Sequence, residues 1–384
     1  MRWLLALALI LQTLPASAVD WYADTDFLYR QKITVDNTKV GADLTDFPVY
    51  LNTDDLAAGF YTHAQADCDD VRITKSDGTT EVPREIVFCT GSNGEIHFKA
   101  SGTLSGSSDT DFYIYYGNAS ASDYATSATY GAENVWSDYV AVWHNQENPA
   151  GSAPQVLDST ANNNDMTSAG SMTGADSVAG KLSGNALDYD GTDDYLTVAD
   201  SDSLDSKFNL TLSFWMSTTN TAHGKAFVSK AAAGAGTSGG YLAGFVNSAS
   251  QRAFNFLTYN GTSATTIITG STVVNTGDWF YYTGVQDGGT RADLYVNASV
   301  DGSDTSTSGL SAGTHVVNQA TRGDTGVKVA CKLDEVRIRN EAMSSTWIST
   351  EYNNQSSSST FYTASAEEEV PVSAGIGLEH GFFF

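Results

Sequence analysis

Short runs rich in β-branched and aromatic residues recur along the whole chain, cut by glycine turn signals, and this punctuation limits the fold more than any other feature. Such runs lie at 32–35, 48–51, 112–116, 210–216, 254–259, 279–285 and 293–296. Between them stand Asp77-Gly78, Asp190-Gly191, Asn260-Gly261, Asp287-Gly288-Gly289 and Asp301-Gly302, residues that accept the positive φ of tight hairpin turns. Strand and helix signals do not alternate, which removes parallel-sheet folds. The pattern therefore predicts an all-β protein made of sandwiches. A length of 384 residues leaves room for two such domains. One helix is expected, from 344 to about 353, with Ser344 as N-cap and Trp347, Ile348 and Tyr352 on one side. It should pack against a sheet edge.

The first eighteen residues carry Arg2, an apolar run and then Ala16-Ser17-Ala18, the pattern of a signal peptide cleaved after Ala18. The run is shorter than the roughly 20 residues that span a bilayer. A secreted or surface-displayed protein without membrane insertion is expected. Export also allows a disulfide among the three cysteines. Cys68 and Cys89 are the candidate pair, because a hairpin closed at Asp77-Gly78 would set them nearly opposite. Cys331 alternates with Val329 and Leu333 and reads as an inert core thiol.

Acidic residues outnumber basic ones 45 to 19. A surface that negative repels a phosphate backbone, so nucleic acid is not an expected partner.

Several motifs line up with a known family. They are YVAVWHNQE at 139–147, VLDSTANNND at 156–165 and GNALDYDGTDDYL at 184–196, followed by LTLSFW at 210–215, TGDW at 276–279, LYVN at 294–297 and LDEVRIRN at 333–340. Together they resemble laminin-G-like modules of the concanavalin A-like class. The resemblance implies that residues 138–366 form a jelly roll of two antiparallel sheets, with the strands near Tyr139 and Leu333 side by side. Residues 19–137, through YRQKI at 29–33, VPRE at 82–85 and FYIYYGN at 112–118, resemble an uncharacterised bacterial secreted domain that often precedes such modules. It is expected to be a second β-sandwich, and it brings no catalytic residue with it. Residues 356–360 read as a serine-rich link, and 367–384 as an acidic, flexible tail.

Glycosidases of this fold need two carboxylates flanking the scissile bond, and no Glu-x-Asp-x-Glu strand occurs. Glu81 and Glu85 are the nearest spacing and read as structural or solvated. G-x-S-x-G at 236–240 and 309–313, and G-x-G-x-x-G at 234–239, lack the strand and helix those motifs need. The six histidines show no paired zinc spacing, and His144 reads as a packed strand residue. No enzyme is expected.

Calcium is the one metal expected, since hard oxygen donors suit it and the resemblance implies an ion at the sandwich rim. The candidate ligands are Asp158, Asn163, Asn164, Asp194 and Asp334. A generic Asx turn and a carboxylate accepting backbone N–H groups are the plainer alternatives. Sugar recognition pairs an aromatic platform with polar groups, and the candidates are Trp215, Tyr259, Trp279 and Tyr281. Trp215 alternates with Leu212, Phe214 and Met216 and so faces away from them. The expected function is a carbohydrate-binding or adhesion protein whose partner is a glycan or cell-surface polysaccharide. The alternative is a structural building block of a cell surface or virion, and a polysaccharide-degrading enzyme is the third reading.

Overall fold

The computed structural model describes residues 21–206, 208–222, 224–231, 239–245, 253–261, 264–305, 310–323 and 326–370. The expected signal peptide, residues 234–238 of the glycine-rich motif and the tail beyond 370 lie outside them. Among the described residues, no helix is long and apolar enough to cross a membrane.

The strands form four antiparallel sheets. A five-stranded and a three-stranded sheet make the N-terminal sandwich. An eight-stranded and a seven-stranded sheet make the second. Alternation drives each pair together. In Leu210–Ser217, Leu212, Phe214 and Met216 enter the core of the second sandwich beside Tyr282, Phe227 and Phe254. Phe214 stacks on Tyr282 at 4.6 Å, worth about 0.5–1.5 kcal/mol beyond area burial. The strand Ala141–Trp143 pairs with Ala330–Arg339 as the resemblance implied.

The strand Ala330–Arg339 changes parity midway. Cys331 and Leu333 point into the core, and so do Val336 and Ile338, so one extra residue must intervene. A bulge supplies it: Ser213 faces Arg337 and Trp215 faces Asp334, and Glu335 takes φ 53°. The outward side of the strand thereby carries Asp334, Glu335, Arg337 and Arg339.

The helix Ser345–Ser356 is capped by the Ser344 hydroxyl, which accepts the Trp347 N–H at 3.2 Å. It does pack on a sheet edge. The Asn354 carboxamide accepts from Tyr50 N at 2.7 Å and donates to Tyr50 O at 2.9 Å, taking the place of a neighbour for the strand Leu44–Asn52. Trp347 enters the N-terminal core, whereas Ile348 packs on Trp215 and Tyr281 of the other sandwich. One helix turn thus joins both units.

The segment on both sides of 366, expected to close the jelly roll and open the tail, returns to the N-terminal sandwich. After a short helix at Ser358–Phe361, where a serine link was expected, Tyr362–Ala364 and Glu368–Glu369 both pair with the N-terminal strand Tyr29–Val35. Glu367 and Glu368, expected in a flexible tail, bind Tyr116 and Arg30. Unpaired backbone on a sheet edge is costly to leave open, and the chain closes its own.

Cys68 and Cys89 form a disulfide, though not across one hairpin. The turn at Asp77-Gly78 closes only a short pair, with Lys75 N to Thr80 O and Val82 N to Ile73 O both at 2.9 Å. Beyond Pro83 the chain joins the other sheet, where Arg84–Thr90 pairs with Asn93–Leu104. The bond therefore links the two layers. Across its 21-residue separation, reduction should cost about 2–4 kcal/mol. The check is the urea midpoint with and without a reductant, and an unchanged midpoint would refute this.

Candidate functional site

The outer face of the seven-stranded sheet carries a groove of about 430 Å³. Strand parity builds its floor. Phe254 and Phe256 enter the core, so Asn255, Leu257 and Tyr259 of Phe254–Tyr259 face outward. Leu242 on the next strand pairs directly with Leu257. Lys225 and Arg322 border them. Among the described residues, neither cation makes an ion pair with a carboxylate. Asn255 donates to Phe245 O at 3.1 Å, leaving its buried Oδ1 without a partner, and the buried Nε of Arg322 is likewise unpaired. Burial raises the Tyr259 phenol and the Arg322 charge opposes that shift. An apolar floor and two cations therefore share one surface, and among the described residues no lining residue is Asp or Glu.

Of the four expected platform aromatics, only Tyr259 lies in this groove. Trp215 and Tyr281 meet each other at 5.1 Å on the outer face of the eight-stranded sheet, as alternation placed Trp215. They are 1 % exposed, sealed beneath the 345–356 helix, with Trp215 Nε1 donating to Gln355 at 2.6 Å. Trp279 packs half-buried beside them. As folded, Trp215 and Tyr281 serve the junction between the units and offer no ring to a sugar.

The expected calcium ligands do not converge. Asp158 is saturated: Oδ1 accepts from Val142 N and Thr160 N, both at 3.0 Å, and Oδ2 from Asn164 N at 2.8 Å. Asn163 is exposed and bonds Ala161 O, while the Asn164 carboxamide donates to Val140 O. Asp194 belongs with Asp190 and Asp193. Asp334 accepts Lys181 N at 2.7 Å, and burial followed by the Glu335 charge pushes it up to about 8. The Asx-turn and backbone-acceptor alternatives account for Asp158 and Asp334.

A second constellation was missed from the sequence. Of the two readings for Glu85 the structural one applies, its side chain being 11 % exposed, and His144 does more than pack. The outward faces of Asn93–Leu104 and Ala330–Arg339 meet between the sandwiches, bringing Glu95 and His97 against Glu335 and Arg337, with His144 between them. Glu95, His97 and Glu335 are fully buried. His144 donates toward Glu335 through Nδ1 and contacts Glu85 through Nε2 at 3.1 Å. Glu85 also accepts from Ser159 Oγ at 2.6 Å and from Trp136 Nε1. Desolvation opposes ionisation throughout the cluster. It nevertheless loses to the His144 and Arg337 charges at Glu335, which is held well below the usual carboxylate range. It wins at Glu95, raised with the help of Glu335, and at His97, which is held neutral. The only sequence signal was charge at alternate positions of strands otherwise apolar.

Comparisons with known proteins agree with the fold. The family described as the concanavalin A-like lectin/glucanases superfamily matches residues 190–349. The C-terminal part is accordingly a concanavalin A-like jelly roll. No curated protein matches the chain. Among solved structures, the binding domain of Paraclostridial Mosquitocidal Protein 1 is 12% identical with a TM-score of 0.44, covering 56% of this chain and 52% of that one. The receptor binding domain of botulinum neurotoxin C/D mosaic serotype is 12% identical at 0.43, covering 57% and 52%. The binding domain of Botulinum Neurotoxin DC in complex with SialylT is 12% identical at 0.42, covering 57% and 52%. The chain thus spans about half the length of these structures, and likeness at that level carries no argument about function.

Proposed function

We propose that the protein is an exported, non-catalytic binding or adhesion module that takes a glycan bearing carboxylate or sulfate groups in the groove around Tyr259. The observation that carries this reading is the pairing there of an apolar floor with Lys225 and Arg322, unneutralised cations in a chain of net charge −26. Leu257 and the edges of Tyr259 and Leu242 supply the surface for sugar C–H faces, and the cations select the acidic groups. Glycoside hydrolysis needs two carboxylates about the scissile bond, and the groove lining supplies none. The carboxylates between the domains are sealed from any chain-like substrate.

The test is a titration of the mature protein with an acidic and a neutral polysaccharide. Binding to the acidic one should weaken with added salt. Tyr259→Ala should weaken it about tenfold or more, the scale of an interface anchor, and Arg322→Gln should flatten the salt dependence. Binding that both variants leave unchanged overturns the groove assignment. No binding to either polysaccharide favours the structural building block.

A further inference from the structure

The cluster between the sandwiches has the form of a metal centre. Glu95, His97, His144 and Glu335 each offer one ligand atom, all within 4.8 Å of one another. His97 Nε2 lies 3.0 Å from Glu95 Oε1 and 4.0 Å from Glu335 Oε2, and His144 Nδ1 lies 3.7 Å from Glu95 Oε1. Four ligands held roughly 2.0–2.2 Å from a tetrahedral zinc ion would stand about 3.3–3.6 Å apart. The Glu95–His97 and Glu95–His144 separations lie within about half an ångström of that edge, whereas the shorter contact of His144 Nδ1 with Glu335 Oε1 would have to open by about an ångström to admit an ion. We propose that Glu95, His97, His144 and Glu335 bind one divalent ion of the zinc class, two ligands coming from each sandwich.

What surrounds the four ligands argues for a built site rather than a chance gathering of charge. Each carboxylate has one oxygen tied outward and the other turned in. Arg337 Nε holds Glu335 Oε2 at 3.1 Å, and Gln146 Nε2 holds Glu95 Oε2 at 3.3 Å. That leaves Oε1 of each on the inner side. His144 presents Nδ1 to the centre while its Nε2 is fixed by Glu85, whose own oxygens are held by Ser159 and Trp136. Ligating histidines are oriented in this way, by a carboxylate on the far nitrogen.

His97 supplies an independent sign. Its ring is wholly buried and wedged among Tyr50, Trp136 and His144, with centroids at 5.5, 5.2 and 5.1 Å. Its Nδ1 has no partner, and its Nε2 turns only toward the cluster. With Nδ1 shut in among the rings, Nε2 is the one ring nitrogen placed to meet an ion, and it faces the carboxylates of the cluster. Two imidazoles and two carboxylates in a closed four-coordinate cavity suit zinc over calcium or magnesium, which want six or more oxygens.

The experiment uses the whole chain, refolded after chelation with and without zinc, then desalted and analysed for metal. About one zinc per chain is expected. Refolding with cobalt should give the intense visible bands of four-coordinate nitrogen and oxygen ligation, which zinc then abolishes. Glu335→Gln should remove the bands, and Asp193→Asn, in the other acidic group, should leave them. Glu85→Gln should weaken binding about 10–100-fold without abolishing it. Because the wild-type cobalt spectrum needs no variant to fold, it decides alone. Metal-free wild-type chain, or the pale spectrum of six-coordinate cobalt, overturns the site. Glycan titration is read separately, so either reading can fail without the other.

Discussion

Arg337→Met should lower the stability of the metal-free protein by about 3–5 kcal/mol, the usual cost of removing one partner from a buried ion pair. The guanidinium is 2 % exposed and ties its strand to the covering helix: Nε and a terminal nitrogen hold Glu335, and the other terminal nitrogen donates to Glu351 at 2.5 Å. Its face also lies 4.7 Å from the Trp136 ring centroid. Methionine fills the space but strands two carboxylates away from water. Arg337→Lys should recover only part of the loss, since an ammonium cannot hold both carboxylates in the geometry of the planar fork. Urea unfolding in the presence of chelator measures all three proteins. A loss under about 1 kcal/mol for Arg337→Met would mean that the interface admits water and the network contributes little.

Residues 21–137 expressed alone should fail to form a cooperatively folded domain. Three side chains of its core, Trp347, Phe361 and Tyr362, come from the far end of the chain. Deleting a buried aromatic costs about 3–5 kcal/mol, so three together match or exceed the 5–15 kcal/mol typical of a whole domain. The strand Tyr29–Val35 would also lose its partner at Tyr362–Ala364. Near-ultraviolet circular dichroism and the sharpness of urea unfolding provide the readout. A sharp transition in the isolated fragment would show that these contacts are dispensable.

The fold was legible where local chemistry decides it. Alternation in 210–216 placed Phe214 inward and Trp215 outward, and Ser344 marked the start of its helix. The parity change between Leu333 and Val336 announces the bulge at Glu335, although it takes the core to show which residues point in. The metal cluster was not legible, because its one local spacing, Glu95-x-His97, is too common to signal a site and the other two ligands come from elsewhere in the chain. His144 and Glu335 stand 191 residues apart, and only the packing of one outward sheet face on another brings them together. The same packing explains why Trp215 and Tyr281 read as possible platforms. Nothing in their own strands announces the helix that covers them. The groove was half legible: Tyr259 was named, but Arg322 reaches it from the turn after the strand Val317–Gln319.

The first strand of the N-terminal sandwich is held by the last, with Lys32 N donating to the hydroxyl of Ser365, 333 residues later. A ribosome delivers these two segments at opposite ends of synthesis. During elongation the early strands have their hairpin partners but lack the closing edge, so the first sandwich to emerge is the last to be completed. The second sandwich, whose strands are all in hand before residue 345, can condense first and serve as the surface on which the other finishes. For a chain carried outward through a narrow pore, that order keeps the leading segment unlocked until the trailing one has arrived.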